Sequence, residues 1–125
     1  MQATEYYKQL LIRALEGINA PAAFIAGALG YGTDVFEENR KFLESMISKY
    51  SEQEPVFNQL PWQDYNFLDA PYEYEEKFEV FYKGLIQSGK ISKLYVLPSH
   101  VQSVGAQKEI AYAKEVDINV EYLVG

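Results

Sequence analysis

Leu94-Tyr95-Val96-Leu97-Pro98-Ser99-His100-Val101-Gln102-Ser103-Val104-Gly105-Ala106-Gln107-Lys108-Glu109-Ile110-Ala111-Tyr112-Ala113 is the stretch whose reading decides the fold. Its first four residues form an apolar run stopped by Pro98, the pattern of a short buried strand. From Ser103 the period changes. Ala106, Ile110 and Ala113 recur at spacings of three and four, the stripe of a helix, with Ser103 as its N-cap. Glu109 shares the face of Ala106 and Ala113, whereas Lys108, Lys114 and Glu115 fall elsewhere and read as solvated. A carboxylate among small residues just inside a helix N-terminus is expected at the floor of a pocket, where a nucleophile belongs.

Outward from this unit the same alternation holds. Glu5 to Glu16 carries Tyr7, Leu10, Leu11, Ala14 and Leu15 at helical spacing, with Thr4 as N-cap and Gly17 as stop. Ala22 to Ala26 is a short apolar run that predicts a buried strand, followed by a loop holding Gly27, Gly30 and Gly32. Asp34 and Glu37 form a capping-box pattern opening a helix to about Tyr50, with Phe36, Leu43, Met46, Ile47 and Tyr50 as its stripe. Pro55-Val56-Phe57 predicts a second strand, running into an irregular segment from Asn58 to Ala70. Pro71 suits the first turn of a third helix, with Phe78, Phe81, Tyr82 and Leu85 on one face. Ile118 to Leu123 reads as the last strand.

Strands alternating with helices imply βαβ units and a parallel sheet. The expected architecture is α/β: one domain over residues 1–125, a flavodoxin- or Rossmann-like three-layer sandwich. Four to five parallel strands are expected, with an extra N-terminal helix over residues 1–19. In the strand order 2-1-3-4 the switch point falls between the first and third strands. The loops Gly27–Asp34 and Pro98–Gly105 then converge on one crevice.

Composition narrows the function. The 125 residues suffice for a single core, and the net charge of −7 disfavours binding to a nucleic-acid polymer, which needs a clustered basic surface. A small nucleotide is still compatible, because backbone N–H groups at a helix start can hold a phosphate. The lack of cysteine excludes thiol catalysis and disulfides. Met1 to Lys8 is polar and no apolar run reaches about 18 residues, so neither a signal peptide nor a membrane span is expected. The expected location is the cytoplasm. The acids are scattered without metal-ligand spacing, and neither metal nor cofactor is expected.

Each candidate site residue has two readings. Glu109 is either a solvated or ion-paired glutamate, or a carboxylate that attacks an anomeric carbon to form a glycosyl ester. Gly27, Gly30 and Gly32 either permit a tight turn or bring backbone close to a sugar or phosphate. Ser103 and Gly105 open a helix and also offer a hydroxyl and N–H groups to a phosphate. In Val56-Phe57-Asn58-Gln59-Leu60-Pro61-Trp62-Gln63-Asp64, Asn58 and Gln59 have the paired donor and acceptor edges that suit a nucleobase. Trp62 can stack on a base or pack on the core. His100, the single histidine, is either structural or catalytic.

The A-G-x-x-x-x-G loop after the first strand, the F-N-Q-L-P-W segment, and L-P-S-H-x-x-S-x-G-A-x-x-E-x-x-Y-A together resemble the nucleoside 2-deoxyribosyltransferase superfamily. The similarity is to its small, often phage-encoded branch, related to deoxynucleoside 5′-monophosphate N-glycosidases. It spans nearly everything from Ala22 to Val124. The resemblance implies Glu109 as the nucleophile and Ser103 as a phosphate-binding serine. It places Gly27 to Gly32 under the sugar and phosphate, and it implies a homo-oligomer whose neighbouring subunit completes the pocket. Two departures stand out. The family's aspartate near the start of the third strand is missing from Gly89-Lys90-Ile91-Ser92-Lys93, and Ser99 and His100 replace the usual Gly or Asp and Trp. Asp64, Asp69 and His100 are the groups available to replace that acid. If nothing does, the expectation is a silent nucleotide-binding protein.

Overall fold

Three strands pair side by side in one parallel sheet: β1 (Ala22–Ala26), β2 (Ile91–Val96) and β3 (Asn119–Tyr122), in the order β1-β2-β3. The structure, a computed structural model, describes residues 3–27, 36–61, 77–98 and 104–123. The helices are α1 (Ala3–Glu16), α2 (Phe36–Ser51), α3 (Lys83–Ile86) and α4 (Val104–Glu115), and a π-helix, Lys77–Tyr82, runs directly into α3. The chain is α/β. None of the described helices is long and apolar enough to cross a membrane.

The expected second strand is reduced to one bridge. Val56 pairs with Ala23 in parallel, with the Ala23 N–H donating to Pro55 O and the Phe57 N–H to Ala23 O. Against the expected four to five strands, the described residues hold three and this bridge, which lies on the β1 side away from β2. Local chemistry explains the shortness. Pro55 has no N–H to extend a ladder, and the Asn58 side chain turns the chain by accepting from the Leu60 N–H at 3.1 Å.

All five residues of β1 are buried, as a strand needs when both faces of its sheet are covered. Ala22, Phe24 and Ala26 pack with Ile91, Leu94 and Val96 against α1, the π-helix, α3 and α4. Ala23 and Ile25 pack with Tyr95 and Leu97 against Leu43 and Ile47 of α2. Three of the five β1 side chains are Ala, which leaves room for larger residues on the helices to close over the strand.

The N-terminal helix belongs to the core. Tyr7 and Leu10 of α1 are buried against the layer that holds the π-helix and α3. The carbonyls of Leu15 in its last turn and of Ile18 just beyond it are reached from far along the chain: Lys90 Nζ donates to Leu15 O at 3.1 Å and Ile18 O at 3.3 Å.

At the other end of the α4–β3 connection, the Ile118 N–H reaches back to Ala113 O at 3.0 Å and the Asp117 N–H to Lys114 O at 3.3 Å. This Schellman closure puts Asp117 at φ 59°, a left-handed conformation that glycine adopts without Cβ strain. Asp117→Gly should therefore raise stability by about 0.5–1 kcal/mol. The readout is the urea midpoint, and an unchanged or lower midpoint would contradict the strain argument.

Candidate active site

Among the described residues the buried polar side chains are Glu109 and Gln59, at 5% and 2% exposure. Glu109 lies in the second turn of α4 on the face formed by the buried Ala106, Ile110, Tyr112 and Ala113. That is the stripe read from the sequence. Because α4 follows β2, its first turns lie at the end of the sheet where β1 and β2 finish, the end at which ligands bind in open α/β sheets. Ala106 and Ala113 keep the wall beside the carboxyl thin. They also leave it poorly solvated.

The electrostatics follow from that burial. Loss of hydration pushes the Glu109 carboxyl up to about 8, and the positive charge of Lys77 works in the opposite direction. Reciprocally, burial holds the Lys77 ammonium below its ordinary value while Glu109 raises it. A neighbouring network flanks this pair. The Tyr112 hydroxyl donates to Glu79 Oε1 at 3.1 Å, and Glu79 Oε2 lies 3.8 Å from Lys83 Nζ. Burial, and then the bond to Glu79, raise the Tyr112 phenol, so it stays neutral and serves as a donor.

The remaining candidates divide by what the structure describes. Gly30, Gly32, Trp62, Asp64, Ser99, His100 and Ser103 lie outside the described residues, as does Asp69. Gly105 is in the first turn of α4, half-buried. Asn58 is exposed, with its side-chain oxygen engaged by Leu60 as described. Gln59 differs: its Oε1 is buried with no hydrogen-bond partner among the described residues. Buried amide oxygens are normally satisfied, so this atom is suited to accept from a ligand donor.

Gly27 has a packing reason of its own. A Cβ there would lie 2.7 Å from Leu97 Cδ1 and 2.9 Å from Leu97 Cβ. Leu97 cannot back away, because its N–H donates to Ala26 O at 2.8 Å. Gly27→Ala should destabilise by about 1–3 kcal/mol through overpacking at the exit of β1. Thermal denaturation tests this, and an unchanged Tm would mean that the loop yields.

A cavity of about 470 Å3 also forms between the end of α1 and the Val56 bridge, lined by Ala14, Ile18, Ala22, Phe57 and Asn58 among others. Asn58 faces it; Glu109 does not. The sequence reading missed Lys77 and Tyr112. Tyr112 follows Ile110 on the buried side of α4 and had a signal in its helical spacing. Lys77 had none, for a reason that lies in the π-helix.

No family model matches the chain, and neither a curated protein nor a solved structure matches it. The resemblance to the deoxyribosyltransferase superfamily thus rests on its motifs.

Proposed function

We propose that this chain cleaves or transfers the N-glycosidic bond of a nucleoside or nucleoside 5′-monophosphate, on a flavodoxin- or Rossmann-like sheet of four to five strands. The observation that carries the reading is Glu109, a buried carboxyl on α4 at the end of the sheet where β1 and β2 finish. In its ionised form the carboxylate attacks the anomeric carbon. The C–N bond breaks with its electrons leaving on the base, which takes up a proton, and a glycosyl ester of Glu109 remains. Water or a second base then displaces the carboxylate, giving hydrolysis or transfer.

The other roles follow the motifs. Ser103, Gly105 and the Gly27–Gly32 backbone hold sugar or phosphate, and Asn58, Gln59 and Trp62 contact the base. The open Oε1 of Gln59 supports that last role. The proton for the leaving base comes from Asp64, Asp69 or His100. A second copy of the chain completes the pocket, and the reaction uses no metal or cofactor.

One observation favours a second reading. A carboxyl pushed up to about 8 is roughly one-tenth ionised at pH 7, and the neutral acid donates a hydrogen bond but does not attack carbon. That state suits a protein that binds a nucleotide without cleaving it. A panel of ribo- and deoxynucleosides and their 5′-monophosphates, incubated with and without a free acceptor base and separated by chromatography, decides between them. Base release supports a glycosidase, and a new nucleoside a transferase. Stabilisation by a nucleotide without base release supports the binding protein.

A further inference from the structure

The cavity beside the Val56 bridge is built by three segments distant in sequence. The end of α1 contributes Ala14, Gly17 and Ile18, the start of β1 contributes Ala22, and the bridge segment contributes Val56, Phe57 and Asn58. Its volume of about 470 Å3 falls in the ordinary range of small-molecule sites. Ala22 opens β1 and Ala26 closes it, so this space lies about 13 Å along the strand from the end of the sheet at which Glu109 stands. It is a separate site.

The walls set the chemistry of an occupant. Ala14, Ile18, Ala22, Val56 and the buried Phe57 present hydrocarbon, and among the described residues none of those lining the cavity is charged. Charge is balanced just beyond the wall as well. The end of α1 that meets the cavity is the negative end of the helix dipole, which repels an anion. The carbonyls there that attract a cation are already engaged. Lys90 Nζ donates to Leu15 O and Ile18 O, and the Gly17 and Ile18 N–H groups donate to Ala14 O and Leu15 O. A ligand charge of either sign finds no partner.

One polar group is left to fix an occupant. Asn58 Oδ1 accepts from the Leu60 N–H at 3.1 Å, and that donor decides which end of the amide is oxygen. Asn58 therefore offers the cavity its NH2. We propose that this cavity binds an uncharged, largely apolar small molecule bearing a hydrogen-bond acceptor, such as an aryl ketone, ester or amide, with the acceptor on Asn58 Nδ2. The site does not rest on the glycosidic reading. The NH2 carries two hydrogens, of which this occupant takes one.

The test uses acetophenone as the probe, with benzoate and benzylammonium as its anionic and cationic counterparts. Each is titrated into the whole nitrogen-15-labelled protein and followed by amide NMR shifts. Acetophenone should move the amides of Gly17, Ile18, Ala22, Val56, Phe57 and Asn58 saturably. The two ions should bind at least about tenfold more weakly, because they lose hydration without gaining a partner. No saturable shift at these amides, or benzoate binding as tightly as acetophenone, would overturn the proposal.

Two variants locate the contact. Asn58→Asp keeps an oxygen for the Leu60 N–H and removes the NH2, so its affinity for acetophenone should fall about two- to tenfold, the contribution of one hydrogen bond. Unchanged affinity would overturn the assignment. Ile18→Trp fills the cavity from the α1 side and should abolish the shifts, whereas full binding by that variant would overturn the location. If Ile18→Trp fails to fold, Asn58→Asp decides. None of these measurements requires turnover, so an absence of base release sinks the glycosidic reading without touching this one.

Discussion

Glu109→Gln is expected to yield a folded protein that releases no base, with turnover down on the order of a thousandfold or more, as for loss of other nucleophiles. The same substitution should change how stability depends on pH. The Glu109 carboxyl stands at about 8 in the folded protein against an ordinary 4.5, so the folded form binds its proton more tightly than the unfolded chain does. Its contribution is complete below pH 4.5, declines as the pH rises, and is spent above about 8. At about 1.36 kcal/mol per pH unit this amounts to roughly 3–5 kcal/mol. Glutamine has no proton to lose, so the variant should match wild type near pH 4.5 and exceed it at pH 9. Urea denaturation at the two pH values measures the difference. Parallel curves for the two proteins would mean that the carboxyl ionises as if exposed, and would remove the basis for a buried nucleophile.

Phe24→Ala should cost about 3–5 kcal/mol and leave much of the protein unfolded at physiological temperature. Phe24 is fully buried at the centre of β1, with the Phe57 ring at 6.2 Å and the Tyr82 ring at 6.4 Å. It is the one large side chain that β1 places on the α4 side, between Ala22 and Ala26. Collapse is limited, because the β1 residues flanking Phe24 on that face, Ala22 and Ala26, are alanines and the helices already pack over the strand. Denaturation midpoints followed by circular dichroism provide the readout. A loss under about 1 kcal/mol would mean that the rings of Phe57 and Tyr82 close the space.

These two residues mark what is legible in the sequence. Helical spacing put Glu109 beside Ala106 and Ala113, and its burial follows from that spacing. The short apolar runs at Ala22–Ala26 and Leu94–Leu97 marked β1 and β2, although β2 starts earlier, at Ile91, and ends at Val96. Other features depend on partners distant in sequence. The reason for glycine at position 27 is Leu97, seventy positions on, and no local pattern announces it. Val56 reads as strand by composition, but Pro55 and the Asn58 turn limit it to one bridge. Lys77 was not singled out because a period of 3.6 turns it about 140° from Tyr82; the π-helical winding brings its ammonium over that ring.

The packing of α1 has a consequence for synthesis. The ribosome makes this helix before its partners (the π-helix, α3 and the ammonium of Lys90), which emerge some 60 to 75 residues later. At about 5–20 residues per second that is an interval of several seconds. During it Tyr7, Leu10 and Ala14, later buried, lack the π-helix and α3, the helices that α1 packs against. A nascent chain halted before residue 77 is therefore the form in which this stripe is open to chaperones and to aggregation.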